Sequence, residues 1–221
     1  MRQALLLLVL FLFSCAPRVP VSYQPPERPL PLGFKGRAHF VLHYPKGQQE
    51  GRLFYLLTRE GVYAEALSPF GWSLFQGLLK GETLTLILVP QREIIVFYLH
   101  TPPPSLQKNW GLLFSGQIPP DWKVENAYQR GQQIEVYFDL GGGFKAKALF
   151  SEDFKLRELL LKRGRDLARF RYFPEEVWLE IPRLRTELKI RFLSRESLKE
   201  ETPLLLALPA GFETKIYDLD L

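Results

Sequence analysis

Histidines are the first residues that could carry metal or acid–base chemistry, and the chain has three of them. His39 and His43 have the i, i+4 spacing that pairs ligands on a helix, but the alternating residues around them predict a strand. Four residues of a strand span roughly 13 Å, whereas zinc–nitrogen bonds are about 2.1 Å long. His100 closes another apolar run, with no Cys, Asp or Glu close to it in sequence. We therefore predict no metal site and no cofactor.

The other residues with catalytic chemistry also lack a suitable context. Ser73 follows Gly71-Trp72, but the second glycine of a G-x-S-x-G nucleophile elbow is missing. The glycines at 141–143 precede Lys145 between two strand-like segments, whereas a phosphate-binding loop leads from a strand into a helix. We therefore expect that the protein is not an enzyme.

The only cysteine of the chain ends an export-signal pattern. Arg2 precedes an apolar run over residues 4–13, which is too short for a membrane span of roughly 20 residues but fits the core of an export signal. Leu12-Phe13-Ser14-Cys15 resembles the bacterial lipobox, in which the cysteine is acylated. We predict a signal peptide at 1–14 and a covalent lipid on Cys15. An ordinary secretory signal with an incidental cysteine is the alternative.

Composition then suggests how the rest of the chain is organised. Residues 15–32 contain six prolines, which predicts an extended tether of about 3.1 Å per residue that contributes nothing to a core. We assign residues 33–221 to a single domain, without an internal disulfide because the cysteine has no partner. The net charge is +5, but the basic residues are scattered among apolar ones. This predicts mild attraction to anionic lipid at most and no nucleic-acid partner.

Short alternating runs separated by turn residues dominate the domain. The first six predict an antiparallel meander with strands at 37–44, 51–59, 62–68, 72–80, 83–89 and 92–100. A helix is predicted at 105–114, with Ser105 as its N-cap. Residues 155–162 have helical composition, but the turn that follows favours a strand. We assign no element to residues 195–201. The later strands are predicted at 122–128, 133–140, 144–150, 155–162, 167–173, 177–181, 187–193 and 212–219.

Two of these segments, 84–89 and 94–99, are apolar on both faces. A strand with two apolar sides needs cover on both sides. We therefore predict a mainly β (α+β) fold, an incomplete antiparallel β-barrel with a few short helices covering its open side. If helices or loops do not cover the concave face of the sheet, its apolar side chains would line a cavity. A β-sandwich is the alternative architecture.

Aromatic residues occupy a turn where polar ones are expected. Pro69, Phe70 and Gly71 connect two predicted strands, and leaving Phe70 exposed would forgo about 1.5–3 kcal/mol of burial. A membrane or an acyl chain would compensate. The alternative is that Phe70 folds back onto the core, where we also expect Trp72, either inside or at the rim. Trp110 belongs to an apolar cluster on the predicted helix.

These motifs resemble LolB, a family of outer-membrane lipoprotein acceptors. The similarity lies first in residues 36–38, 51–55 and 61–71, which end in the Pro-apolar-Gly turn. Residues 109–113 and 116–119 resemble the Trp-containing helix of that family and its following Gly-x-x-Pro. Residues 173–181 and 208–213 resemble the wider group of LolA/LolB-like periplasmic proteins, so the similarity covers most of residues 33–219.

The resemblance implies a half-barrel plugged by helices around an apolar cavity that receives acyl chains. Phe70 matches the residue that projects from the surface and helps to deliver cargo to the membrane. Ala16 and Pro17 differ from the aspartate-based inner-membrane retention signal, which implies a lipid-anchored protein on the periplasmic face of the outer membrane. The candidate cavity-lining residues are Leu86, Leu88, Ile95, Phe97 and Trp110.

We therefore expect a monomeric, non-enzymatic acceptor that takes lipoproteins, or free lipid, from a LolA-like periplasmic carrier and passes their acyl chains to the membrane. Two alternatives remain open. One is a module of the same fold that senses mislocalised lipoprotein or another envelope lipid. The other is a structural envelope lipoprotein whose barrel is filled by its own side chains.

Overall fold

The computed structural model describes residues 18–23, 32–68, 70–100 and 102–220. In these residues the chain forms one sheet of fifteen strands, two short α-helices and one 3₁₀ helix at Pro182–Leu184. None of the described helices is long and apolar enough to cross a membrane. The helices are α1 (Pro104–Gln107) and α2 (Trp110–Phe114), and the strands are β1 (Val19–Pro20), β2 (Gly33–Tyr44), β3 (Gly47–Thr58), β4 (Gly61–Leu67), β5 (Ser73–Lys80), β6 (Thr83–Leu88), β7 (Glu93–His100), β8 (Lys123–Arg130), β9 (Gln133–Gly141), β10 (Phe144–Ser151), β11 (Leu156–Arg163), β12 (Arg165–Tyr172), β13 (Glu176–Ile181), β14 (Thr186–Ser197) and β15 (Glu213–Asp220).

The strands lie in the order β1-β8-β9-β10-β11-β12-β13-β14-β2-β3-β4-β5-β6-β7-β15, with β1 and β15 at the two edges. Neighbours are antiparallel except for β15, which runs parallel to β7. The mainly β class, the open sheet and the β2–β7 meander confirm the predictions. Parallel pairing of the last strand does not fit the expected antiparallel pattern. It arises because the chain crosses from the end of β14 to the start of β7 before it enters β15, as the bond from the Glu213 amide to the Arg92 carbonyl indicates (2.9 Å).

One face of the sheet, the inner face, carries the core. In β2 and β3 the alternation places Ala38, Phe40, Leu53, Tyr55 and Leu57 on it, each at most 7% exposed. Side chains at odd positions of β2 and even positions of β3 lie on the opposite, outer face. The pattern continues through β9–β13, where Phe138, Phe144 and Phe170 are fully buried. Alternating hydrophobicity therefore specifies both the strands and the face that they bury.

The predicted single helix is two helices in the structure, separated at Lys108 and Asn109. Asn109 is fully buried: its Nδ2 donates to the Ser105 carbonyl (2.7 Å), and its Oδ1 accepts from Arg59 Nε (3.2 Å). Ser105 is not the N-cap, because Pro103 occupies that position and Ser105 Oγ donates to the Leu140 carbonyl instead (3.5 Å). The bonds of Asn109 join the break between the helices to the sheet.

Helix α2 contacts strands that are far apart in the sheet. Gly111 packs on the β3–β4 turn, where an added Cβ would lie 1.6 Å from the Thr58 carbonyl oxygen. On its other side, the Tyr172 hydroxyl of β12 donates to the Leu113 carbonyl (2.9 Å). Strand β4 is the fifth strand from β12 in the sheet, so the two would lie about 24 Å apart if the sheet were flat. A helix is only about 10 Å wide. The sheet therefore curves around α1 and α2, which we call the plug.

The N-terminal segment differs from the expected tether. Val19 and Pro20 pair with β8, and the Val21 amide donates to the Ala127 carbonyl (3.1 Å). The Tyr23 ring stacks on Phe150, with centroids 5.3 Å apart. The expectation that 15–32 contributes nothing to the core is therefore wrong for residues 18–23, because alternating Val19, Val21 and Tyr23 suit the free edge of β8. Cys15, the signal segment and residues 24–31 lie outside the described residues.

Candidate functional site

A tight turn joins β4 to β5 and places two aromatic side chains in solvent. The Gly71 amide donates to the Ser68 carbonyl (3.0 Å), and the Ser68 amide donates to the Trp72 carbonyl (2.7 Å). The Trp72 amide donates in turn to Ser68 Oγ (3.1 Å). Gly71 has a φ of 84°, which glycine adopts readily. Pro69 lies outside the described residues.

Phe70 is 84% exposed and Trp72 is 72% exposed. Their ring centroids are 6.1 Å apart, so the two rings form one apolar projection, which we call the aromatic tip. Phe70 does not fold back onto the core. The expectation that Trp72 lies in the core or at its rim is wrong, because the turn ends before β5 begins at Ser73.

A second apolar surface lies on the inner face of β6, β7 and β15. Leu86 opposes Ile95, and Leu84 opposes Phe97, so these pairs share one face. Leu99, two residues beyond Phe97, belongs to the core and identifies that face as the inner one. The Phe97 ring also stacks on Tyr217 (5.5 Å). We call this surface the apolar wall; its members are Leu84, Leu86, Leu88, Ile95, Phe97 and Tyr217.

The apolar wall is only partly covered. Its residues on β6 and β7 are half-buried, Tyr217 is exposed, and none belongs to the core cluster or to the side chains packed against it. On the outer face of the same strands, Ile87 and Ile94 are 1% and 4% exposed. The structure therefore places two different environments on strands that the sequence shows as apolar on both sides.

The outer face of these strands has its own cover. The chain leaves β14 beside β2, where the Leu198 amide donates to the Gly33 carbonyl (2.9 Å), and it reaches β7 at Arg92. Between these points Leu204 is buried close to Gly61, where an added Cβ would lie 2.8 Å from Leu204 Cδ1. The connection over residues 198–212 therefore crosses the outer face, which leaves the inner one available.

Trp110, the fifth candidate cavity residue, lies apart from the other four. It is 7% exposed, and its Nε1 donates to the Gly81 carbonyl in the β5–β6 turn (2.9 Å). Gln107 Nε2 donates to Glu82 Oε1 in the same turn (2.7 Å). Trp110 therefore anchors the plug at the end of β5 and β6 that is farther from the aromatic tip.

The apolar wall extends toward the aromatic tip. Leu88 opposes Phe75 on β5, and Phe75 follows Trp72 by three residues, a separation of about 10 Å along a strand. At this end Lys215 Nζ lies 2.6 Å from Glu93 Oε1. The hydrogen bond from Lys215 to Glu93 raises the pKa of the lysine, which keeps the pair ionic. The wall is thus a continuous apolar strip between the plug and the tip, with Lys215 and its acidic partners Glu93 and Glu213 at its rim.

Sequence reasoning missed Arg195, a charged side chain beside the plug. The bulge at Leu193 shifts the register of β14, so that Arg195 opposes Gly36 and lies on the inner face. Its guanidinium stacks over Phe34 (3.8 Å), and Nη2 donates to the Ser115 carbonyl after α2 (3.4 Å). Burial lowers the pKa of this arginine. A bulge has no clear signature in the alternation of residues 187–197.

The cavities in the described structure are weaker candidates for a functional site than the apolar wall. Between α2 and the start of β2 the gap is about 10 Å³, so the plug packs closely on this part of the sheet. A groove of about 420 Å³ lies along β8, lined by Val21, Tyr23 and Asn126 among others, and β8 is far from β4 and β5 in the strand order. Among the described residues, no cluster of three His, Cys, Asp or Glu side chains could hold a metal ion. The tip and the wall are therefore apolar surfaces, distinct from these spaces.

No family model matches this chain, and no curated protein is similar to it. Among solved structures, a LolA superfamily protein from Nitrosomonas europaea is 14% identical, with a TM-score of 0.50 over 78% of this chain and 89% of that chain. A domain assigned as an outer membrane lipoprotein-sorting protein from Vibrio parahaemolyticus (8% identity, 76% and 86% covered) gives a TM-score of 0.46. A DUF1329 family protein from Desulfovibrio piger (9% identity, the same coverage) gives 0.45.

The similarity to the Nitrosomonas europaea protein identifies the fold. This chain has a LolA-like fold, a curved open sheet with helices on its inner face. The two lower TM-scores carry no further argument. The fold is common to the wider superfamily, so it does not distinguish the LolB acceptors from the other members.

Proposed function

We propose that this protein is a lipid-anchored, non-enzymatic acceptor of lipoproteins on the periplasmic face of the outer membrane. Acyl chains of the cargo would pass from a soluble LolA-like carrier onto the apolar wall and then, beside the aromatic tip, into the bilayer. The protein's own anchor would be the lipid on Cys15. The observation that carries the proposal is the exposed tip at the end of a partly covered apolar strip.

The energetics of such a transfer favour a surface of this kind. Removing one methylene from water is worth about 0.8 kcal/mol, so any apolar surface that shields an acyl chain binds it well. Movement from carrier to acceptor to membrane then needs only modest differences in affinity between the three. A half-covered wall supports this role, because it binds the chain without enclosing it fully.

The aromatic tip has a separate task in this proposal and is tested by Phe70→Glu. A carboxylate at the tip resists entry into the bilayer, so we expect uptake from the carrier to remain while release into liposomes falls at least tenfold. The measurement uses labelled lipoprotein on a soluble carrier and follows the label to the acceptor and then to liposomes.

The matched control is Phe154→Glu. Phe154 is also an exposed aromatic residue in a turn, at 48% exposure, but it joins β10 to β11 and lies remote from the tip in the sheet order. We expect normal release from this variant. Unchanged release by Phe70→Glu would remove the tip from the mechanism, and failure of the unaltered protein to accept label would refute the acceptor role.

A further inference from the structure

Three basic residues on the outer face of the sheet occupy directly opposed positions on adjacent strands. Arg191 of β14 opposes His39 of β2, and His39 opposes Arg52 of β3. Arg37 lies on the same face, two residues from His39. The arginines are exposed. We call these four residues the basic row; the fold assembles them from positions up to 154 residues apart in the chain.

The arginines of the basic row lack the carboxylate partners found elsewhere on the outer face. On β11–β13, Arg169 and Arg171 each lie 3.5–3.8 Å from Glu158 and Glu180. Within the described residues, no carboxylate forms an ion pair with Arg37, Arg52 or Arg191. Arg191 and Arg52 lie on either side of His39, two strand spacings or about 10 Å apart. The row therefore presents exposed positive charges that an anionic ligand would compensate.

The acidic neighbours of the row make their contacts with other side chains. Glu176 opposes Arg191, but its Oε2 accepts from Trp178 Nε1 (3.0 Å). Glu187 lies 3.6 Å from Lys189 Nζ. Glu50 is exposed, two residues from Arg52 on the same face. In the described structure none of these carboxylates is paired with an arginine of the row, so the arginine side chains remain available to an anionic ligand.

The basic row lies at the same end of the sheet as the aromatic tip. Leu53 opposes Ala66, so Arg52 is level with Leu67, the last residue of β4 before the turn that carries Phe70. Adjacent strands are about 4.8 Å apart. Phe54, which is 42% exposed, lies beneath the Arg37 guanidinium at 5.4 Å. Exposed aromatic and basic side chains meet here as they do where proteins contact a membrane interface.

We infer that the basic row binds the phosphate groups of an anionic bilayer surface and thereby directs the aromatic tip into the membrane. Arginine suits this role because its planar fork bonds two phosphate oxygens at once. A basic residue near an anionic leaflet contributes about 1 kcal/mol, which is about a fivefold change in binding per residue. This inference rests on the proposed delivery of lipid, and it goes beyond the mild attraction expected from the composition.

Binding of the full chain to empty vesicles tests the inference. Cys15→Ser removes the acyl anchor from every sample, and sedimentation compares phosphatidylcholine vesicles with vesicles that also contain about a quarter phosphatidylglycerol. We expect the unaltered row to prefer the anionic vesicles and to lose this preference at high salt. Arg52→Gln and Arg191→Gln should each lower the preference about fivefold.

The matched control is Arg130→Gln, an exposed arginine at the end of β8 near the opposite edge of the sheet. It should leave the preference unchanged. Equal preference in the row variants and the parent protein would overturn the inference, as would binding to a DNA duplex at physiological salt without vesicle binding. No carrier or cargo is present, so failure here is distinct from failure of the transfer assay.

Discussion

Glu135 shows how a charged residue becomes part of this fold. It lies on the outer face of β9 and is 5% exposed. Its carboxylate accepts from Lys147 Nζ (3.1 Å) and from the Tyr137 hydroxyl (3.0 Å), and Arg18 Nη2 lies 3.3 Å away. Burial acts to raise the pKa of Glu135, but the hydrogen bonds from Lys147 and Tyr137 and the two positive charges together lower it. Glu135 therefore stabilises the fold in its ionised form and joins the N-terminal segment to the sheet.

The pH dependence of this contribution follows from the direction of the shift. A depressed pKa gives stability that is present above pH 4.5, the ordinary pKa of the group, and is lost as the pH falls through the folded-state value. We expect Glu135→Gln to lower the free energy of unfolding by about 1–2 kcal/mol at pH 7. The difference from the parent protein should shrink as the pH falls below 4.5, measured by urea unfolding.

The control for this prediction is Glu125→Gln, since Glu125 pairs with Lys145 at the surface (3.0 Å). An exposed pair contributes about 0–1 kcal/mol, so the control should change stability little. A Glu135→Gln effect that is the same at pH 7 and pH 3 would show that its cause is packing and not ionisation.

Residue types alone left the environment of the tip undecided. Phe70 and Trp72 are apolar, and a turn of this composition is equally compatible with a ring that projects and a ring that folds back. The hydrogen bonds around Ser68 decide between them, because they close the turn before either ring can reach the core. The exposure of Trp72 could not be predicted from the sequence for the same reason.

Among the elements, the plug depends most on close contact with the sheet backbone. Gly111 lies against the Thr58 and Gly61 carbonyls, and an added Cβ would be 1.6 and 2.8 Å from their oxygens. These are backbone atoms of a tight turn, which cannot yield as a flexible side chain does. Only glycine allows α2 to approach the β3–β4 turn.

We expect Gly111→Ala to lower the free energy of unfolding by about 3 kcal/mol or more, although alanine is the better helix former. Thermal or urea unfolding measures the change. Gly77→Ala on β5 is the control, because its methyl group would lie 3.2 Å from the flexible end of the Leu86 side chain and 4.0 Å from the Ala64 carbonyl oxygen, an ordinary contact. It should cost less than about 1 kcal/mol. Equal stabilities of the two variants would contradict this account of the plug.

The strands were predictable because their alternation is regular and short turns separate them. The helix was predictable in place but not in its division, since the break depends on contacts of Asn109 with Arg59 and Ser105. Two pairings were not predictable. β15 runs parallel to β7 because of the long crossing over 198–212, and β1 joins β8 because that edge is free. Both depend on distant segments of the chain and have no local signal.

At the scale of the whole molecule, the sheet has a covered outer face over β6 and β7 and a partly open inner face. Ile87 and Ile94 are buried on the outer face, whereas Leu86 and Ile95 are half-buried on the inner face. The sequence predicted cover on both sides of these strands. It could not predict which side stays open, because strand phase and the path of the last connection set that outcome.

The most direct test of the apolar wall substitutes neighbouring residues that face opposite ways. Ile95 lies on the wall, and Val96, the next residue of β7, lies on the outer face. The measurement is uptake of labelled lipoprotein from a soluble carrier by Ile95→Gln and by Val96→Gln. A polar amide on the wall opposes contact with an acyl chain, so we predict about a tenfold loss of uptake for Ile95→Gln and near-normal uptake for Val96→Gln. Equal uptake by both variants and the parent protein would contradict the wall as the acyl-binding surface.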